Sequence, residues 1–290
     1  MKNKNPSHIL FGAATGLTIW FLNELWIYLY SAEFTSSRIE MAISGTLIGI
    51  GFGTITLIKS GFFADNLYKV KRGALYGAIF GLLGGLIGFA LIDQINLQIA
   101  DLTQQPILSH ILHGARWLVL ALFIGFATGL RDSSSTILSR SLMGSAVAGL
   151  VSGICITAIN AFSPVFFVSR GIGFIIFGIL LTLSLDYVSI IGRKSWIRGL
   201  NGRLEGFDLE LLQEIHYLGT QSNDDISLKS YPDIRPSHAK LVRYYSGYSL
   251  VDNDPFWQTY VNFRNIKEQP LKNGDILKVG KALFQYCTTN

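Results

Sequence analysis

The chain has 290 residues, 49% of them hydrophobic and only 15% charged, with a formal net charge of +5. Soluble domains carry roughly 25% charged residues, so this composition excludes an ordinary soluble globular protein and points to lipid. The basic residues do not gather in one patch, which argues against a nucleic-acid partner, and Cys155 and Cys287 stand too far apart for a CxxC redox or zinc motif.

Met1-Lys2-Asn3-Lys4 leads into apolar sequence with no small-residue cleavage pattern. The first segment is therefore expected to be a span and not a removed leader. Six candidate spans follow in order, over about 8–30, 41–62, 73–93, 114–131, 141–161 and 166–188, each near the roughly 20 residues that cross a bilayer. Between the third and fourth, Gln94 to His113 is apolar and polar by turns and reads as an interfacial amphipathic helix. Eleven Lys and Arg between residues 2 and 198 fall on one side of these spans, and Arg38, Arg116 and Arg170 on the other. By the positive-inside rule both termini are cytoplasmic, in an inner or plasma membrane.

Glycines recur every four residues: Gly73, Gly77, Gly81 and Gly85 in the third span, Gly45, Gly49 and Gly53 in the second. That spacing puts small residues on one helix face and lets backbones approach. Packing within the bundle is the simplest use of such a face, and homo-oligomerisation is the other. Ser7–Ala13, Arg72–Ala78 and Ser139–Ser145 open the odd-numbered spans alike. They suggest three helical hairpins in parallel repeat, an arrangement found in transporters.

Ionisable groups in spans are functional candidates by default. Glu24 lies toward the outer end of the first span, with Asp93 and Asn160 at comparable ends of the third and fifth. These groups are expected to meet Arg38, Arg116 and Arg170, foremost as a Glu24–Arg170 pair, unless they snorkel to the headgroups. His110 and His113 are three residues apart but have no acidic third ligand near, so no metal is expected.

Past about residue 190 the sequence changes character. Residues 191–199 read as a linker between a membrane domain, 1–190, and a soluble one, 200–290. The latter alternates polar and apolar residues over Arg203–Leu209, Ala239–Tyr245 and Tyr248–Val251. Turn signals at Ser222-Asn223-Asp224, Tyr231-Pro232-Asp233, Ser246-Gly247 and Asn273-Gly274 separate these runs. Short strands at such spacing predict an antiparallel β-sandwich. The fold expected for the whole is thus a polytopic α-helical membrane bundle with a C-terminal all-β sandwich.

Landmarks within the sandwich come in a telling order: Tyr217-Leu218-Gly219, Asn223-Asp224-Asp225-Ile226-Ser227-Leu228, His238-Ala239, Asp252, Thr259-Tyr260-Val261-Asn262 and the Leu271–Gly280 stretch with its Asn273-Gly274-Asp275-Ile276 turn. In this set, residues 200–286 resemble a forkhead-associated (FHA) domain. The resemblance implies a two-sheet sandwich whose end loops bind phosphothreonine peptides. It also implies an arginine where Thr220 stands, a phosphate-binding serine where Arg235 stands, and Ser-Thr-Asn-Gly where Pro255-Phe256-Trp257-Gln258 stands. The framework positions Gly219 and His238 are kept, His238 as a support for its loop.

Phosphate recognition needs charge-assisted donors and small neighbours, and Thr220 and Trp257 supply neither. Two uses of this face then compete. Arg235, with Arg264, rebuilds a phosphate site, or Phe256, Trp257 and Tyr231 form an apolar patch for an unphosphorylated partner, aromatics being favoured interface anchors. The second is the better reading, with Thr220, Arg235, Phe256, Trp257 and Asn262 as the partner-binding residues. The expected function is a non-enzymatic, cofactor-free membrane adaptor that binds a protein, phosphorylated or not. The alternative is a channel or transporter built from the hairpins and regulated by the soluble domain. No phosphate loop, dinucleotide fingerprint or catalytic acid pair supports an enzyme.

Overall fold

In a computed structural model of the chain, described over residues 5–30, 37–64, 66–92, 94–95, 98, 106–132, 134–162, 166–190, 193–245, 247–254, 256 and 258–289, the chain divides into two compact units. One is Met1–Lys59 with Lys71–Ile190; the other is Ser60–Val70 with Ile191–Asn290. Among the described residues six long helices come first: α1 (Asn5–Tyr30), α2 (Ser37–Phe63), α3 (Leu67–Gly85), α4 (Pro106–Arg131), α5 (Ser135–Phe162) and α6 (Phe166–Ile190). All six are long and apolar enough to cross a membrane. Their outward faces keep large apolar side chains exposed, among them Leu10, Leu75, Met143 and Ile154. An apolar exterior of this extent is suited to hydrocarbon and not to water.

Glycine decides how two of these helices meet. Gly45, Gly49 and Gly53 of α2 lie against the backbone of Gly85, Gly81 and Gly77 of α3. A Cβ on Gly45 would stand 2.7 Å from the Gly85 carbonyl oxygen, well inside contact distance. The same device joins α1 to α6, where a Cβ on Gly12 would lie 2.6 Å from the carbonyl oxygen of Gly178. Packing of this kind replaces the hydrophobic drive that lipid cannot supply. The centre of the bundle is aromatic: Phe52 and Trp117 each set their rings 4.8 Å from that of Phe177, and Phe89 sits 5.3 Å from Trp117. Helix α3 runs on as a π-helical segment, Leu86–Leu91, which carries Phe89 into that centre.

One boundary differs from the sequence reading. Helix α4 starts at Pro106, so His113 lies in the same helix as the fourth span and not in a separate interfacial one. Polar residues near a span's end lengthen the helix beyond its apolar window.

Among the described residues the second unit holds eleven strands: β1 (Ser195–Gly199), β2 (Asp208–Glu210), β3 (Ile215–Gly219), β4 (Ile226–Ser227), β5 (Ala239–Tyr244), β6 (Gly247–Asp252), β7 (Thr259–Val261), β8 (Arg264–Ile266), β9 (Glu268–Pro270), β10 (Ile276–Val279) and β11 (Ala282–Thr288). They form a six-stranded sheet, β2-β1-β11-β10-β7-β8, and a five-stranded sheet, β4-β3-β5-β6-β9. All pairs are antiparallel except β3–β4. Alternate residues point inward, as the pleat requires. Ile197, Leu218, Leu241, Leu250, Leu277, Phe284 and Tyr286 therefore make a common core. Strand β1 occupies most of the segment expected as linker, with Ser195 in register with Thr288. Arg203, expected at the start of a strand, lies in a short 3-10 turn, Gly202–Leu204, instead.

Candidate functional site

Strands β3 and β5 are antiparallel neighbours, so the loop leaving β3 and the loop entering β5 share one end of the sandwich. The β6–β7 loop joins them, since β6 pairs with β5 and ends at Asp252 opposite Ala239. Backbone bonds fix this convergence: Thr220 N–H donates to Arg235 O at 3.1 Å and Asn253 N–H to His238 O at 3.0 Å. Gly219 is required at the crossing, because a Cβ there would stand 2.5 Å from Asp224 Oδ2 and 2.7 Å from Arg235 O.

Between the first two loops sits Asp224, 2% exposed. Its Oδ2 accepts Gln221 N–H at 2.8 Å and Ser237 N–H at 3.1 Å, and its Oδ1 accepts the Ser237 hydroxyl at 2.7 Å. Ser237 holds φ near +45°, a left-handed conformation that costs a serine roughly 1–2 kcal/mol. The carboxylate offsets that cost with three charge-assisted bonds. Asn253 Nδ2 then donates to Ser237 O at 2.9 Å, tying in the third loop. The Asp224 carbonyl accepts the amide of Asn66, which belongs to the same compact unit, at 3.1 Å.

Around this hub stand the residues of the expected partner face. Arg235 lies 3.8 Å from Asp254 as an ion pair and places its guanidinium 5.4 Å from the centre of the Phe256 ring. Phe256 is 76% exposed. His238 is fully buried and its Nδ1 accepts Arg235 N–H at 3.3 Å. Burial lowers its pKa below the ordinary histidine value, against an opposing pull from Asp254 and Asp252. A neutral imidazole that accepts a backbone bond is a loop support.

Five residues of the sequence reading fall elsewhere or outside the described residues. Asn262 follows β7, whose register runs from Thr259 opposite Val279 to Val261 opposite Leu277. It therefore lies at the other end of the sandwich, donating to Asp275 at 2.8 Å and accepting Ile276 N–H at 2.9 Å. Arg264, paired with Val261, is there too. Tyr231 is not part of an exposed patch. It is buried, with its hydroxyl donating to Asn201 O at 2.7 Å and accepting Leu204 N–H at 2.9 Å. Trp257 and Pro255 lie outside the described residues.

In the helical unit, Glu24 and Arg170 form the expected pair, with contacts of 2.8 Å from both Nε and Nη2. Asp93 and the Arg38 side chain lie outside the described residues. The sequence reading passed over a second polar cluster. Lys59 of α2 donates to Asp186 of α6, and His8 of α1 stands 2.9 Å from Lys59 Nζ and 2.6 Å from Asp186. The available signal was Asp186 itself, a carboxylate inside the sixth apolar window. Arg131 also turns inward, donating to Leu57 O at 2.7 Å. Among the described residues no three His, Cys, Asp or Glu gather as a metal site.

Comparison with known proteins follows this geometry. Residues 216–280 match the family model of the FHA domain. The sandwich is an FHA domain. Solved structures to which the chain is similar include the FHA domain of the CT664 protein from Chlamydia trachomatis, at 20% identity over 33% of this chain and 99% of that one, TM-score 0.31. They also include the cytoplasmic domain of the T3SS sorting platform protein PscD from P. aeruginosa, at 17% identity over 33% and 82%, TM-score 0.31. A third is the FhaA FHA domain complexed with the intracellular domain of Rv3910, at 17% identity over 32% and 98%, TM-score 0.29. No curated protein matches the chain, and the helical unit matches no family model.

Proposed function

We propose that the chain is a membrane-embedded adaptor whose FHA domain holds a protein partner in the cytoplasm without ordinary phosphothreonine recognition. One observation carries this reading. The arginine on the loop face is engaged by Asp254 and lies beside an exposed phenylalanine, a surface suited to an apolar or aromatic anchor and not to a dianion. Arginine beside an exposed ring is the usual make-up of a binding hot spot. Thr220, where the family resemblance implies an arginine, adds no charge.

The helical unit supports the anchoring role over transport. Its centre is a cluster of Phe52, Trp117, Phe174 and Phe177 rings in edge-on and tilted contact, and its α1–α6 and α2–α3 contacts set glycine against backbone. Six apolar helices and the eleven-to-three division of basic residues support a reading with both termini on the cytoplasmic side.

The test is photo-crosslinking of the full chain in nanodiscs, with the probe at position 253 beside the loop face. Wild type should capture one partner equally from untreated and phosphatase-treated lysate, and Phe256→Ala or Arg235→Glu should abolish capture. Capture that vanishes on phosphatase treatment overturns the proposal.

A further inference from the structure

The loop face contains a cradle of donors already closed around an anion from the chain itself. Gln221 N–H, Ser237 N–H and the Ser237 hydroxyl converge on one point, and the Asp224 carboxylate fills it at 2.7–3.1 Å. Backbone amides that converge beside a left-handed residue, here one from each of two loops, form the kind of concavity that binds phosphate or carboxylate oxygens. Here the left-handed residue is Ser237, and Gly219 leaves the space into which the carboxylate reaches. We infer that this is an oxyanion site permanently occupied by Asp224, which thereby keeps the FHA domain from taking a partner's phosphate on these donors.

Three features favour an occupied site over an incidental hydrogen bond. The carboxylate is buried, so its charge requires strong compensation. Both of its oxygens are used, on a main-chain donor from each of two loops as well as a hydroxyl. Ser237 accepts strain that brings its N–H into the cradle, and strain of this sort persists only where surroundings hold it. The inference rests on the reading of this face as a phosphate-independent partner surface and adds what makes it so.

Removing the internal anion should expose the site to an external one. In the full chain in nanodiscs, Asp224→Ala should lose thermal stability, and inorganic phosphate or acetate should restore it saturably, by at least half of the lost Tm, while chloride at equal ionic strength should not. Phosphorus NMR should show phosphate binding to Asp224→Ala at least tenfold tighter than to wild type. Adding Ser237→Ala, which deletes one donor, should weaken that binding and the rescue together. If Asp224→Ala folds only with phosphate or acetate present, that requirement is itself the rescue. Absence of any anion rescue, or equal phosphate binding by wild type, overturns the inference. Phosphatase-sensitive partner capture by wild type would instead overturn the adaptor reading, so the two fail separately.

Discussion

The buried histidine on β3 gives the FHA domain a predictable acid response. His216 is 6% exposed, and its Nε2 accepts two backbone bonds, from Leu212 N–H at 2.9 Å and Gln213 N–H at 3.0 Å. Protonating that nitrogen would set a third hydrogen against two donors. Burial is the main cause that pushes its pKa from 6.5 down to about 4; Asp225 pulls the other way, while Lys69 and Arg243 add to the fall. In the unfolded chain His216 takes up a proton as the pH drops past about 6.5, whereas the folded domain does so only near 4. Between those values the unfolded state binds more protons, so stability is full above about 6.5 and declines toward 4. At roughly 1.4 kcal/mol per pH unit the loss across the window is about 3 kcal/mol.

Hydrogen exchange of the β3 and β5 amides, corrected for intrinsic rates, should report it. Protection should fall by about two orders of magnitude more between pH 7 and pH 4.5 than in a His216→Gln chain, whose side chain keeps an acceptor but cannot charge. His238, also depressed by burial, contributes to both chains and cancels. Equal decline in the two would refute the argument that His216 is held neutral by its donors.

The helical unit makes two further predictions. Glu24→Arg and Arg170→Glu should each lower the Tm of the detergent-solubilised chain, while the double exchange recovers most of the loss; a double variant no better than the singles would end the pairing. Gly81→Leu should destabilise by at least the roughly 1–3 kcal/mol of overpacking, since its Cβ falls against Gly49 backbone, whereas Gly51→Ala meets only the movable Ile19 side chain at 3.0 Å and should cost far less. Equal thermal shifts would contradict the close α2–α3 approach. In the sandwich, Tyr231→Phe strands the Leu204 N–H and should cost roughly 1–3 kcal/mol by chemical denaturation; a neutral change would mean that water replaces the hydroxyl.

The two halves and their classes were legible because lipid and water demand different compositions, and each demand extends over many residues. Spacing also revealed the glycine faces, since a four-residue repeat can serve only one side of a helix. What escaped depended on direction or on distance. Thr259 and Asn262 are adjacent in one motif, yet β7 carries the chain from one end of the sandwich to the other between them. Tyr231 sits in a turn signal that reads as exposed, but its hydroxyl is claimed by the 201–204 turn, some 30 residues earlier. Asp186 was hidden because a single carboxylate near the end of an apolar run resembles a snorkelling group. Its partners lie on helices that begin more than 100 residues away.

Asp224 shows most plainly why such a site is hard to read. As a letter it is one acid in an Asn-Asp-Asp-Ile run, a composition typical of a solvated turn. Its role comes from Ser237, thirteen residues on, adopting a backbone conformation that sequence does not announce. Once that conformation is fixed, the donors of two loops point inward and are used within the domain. Among the described residues, the side chains left to meet a partner at this end are then chiefly Arg235 and Phe256, one already leaning on the other. On the proposed reading, an FHA domain arranged this way exchanges a site that waits for phosphate for a surface whose shape is set before any partner arrives. Its binding should therefore follow the chemistry of the aromatic ring, and respond little to the salt concentration that governs capture of a dianion.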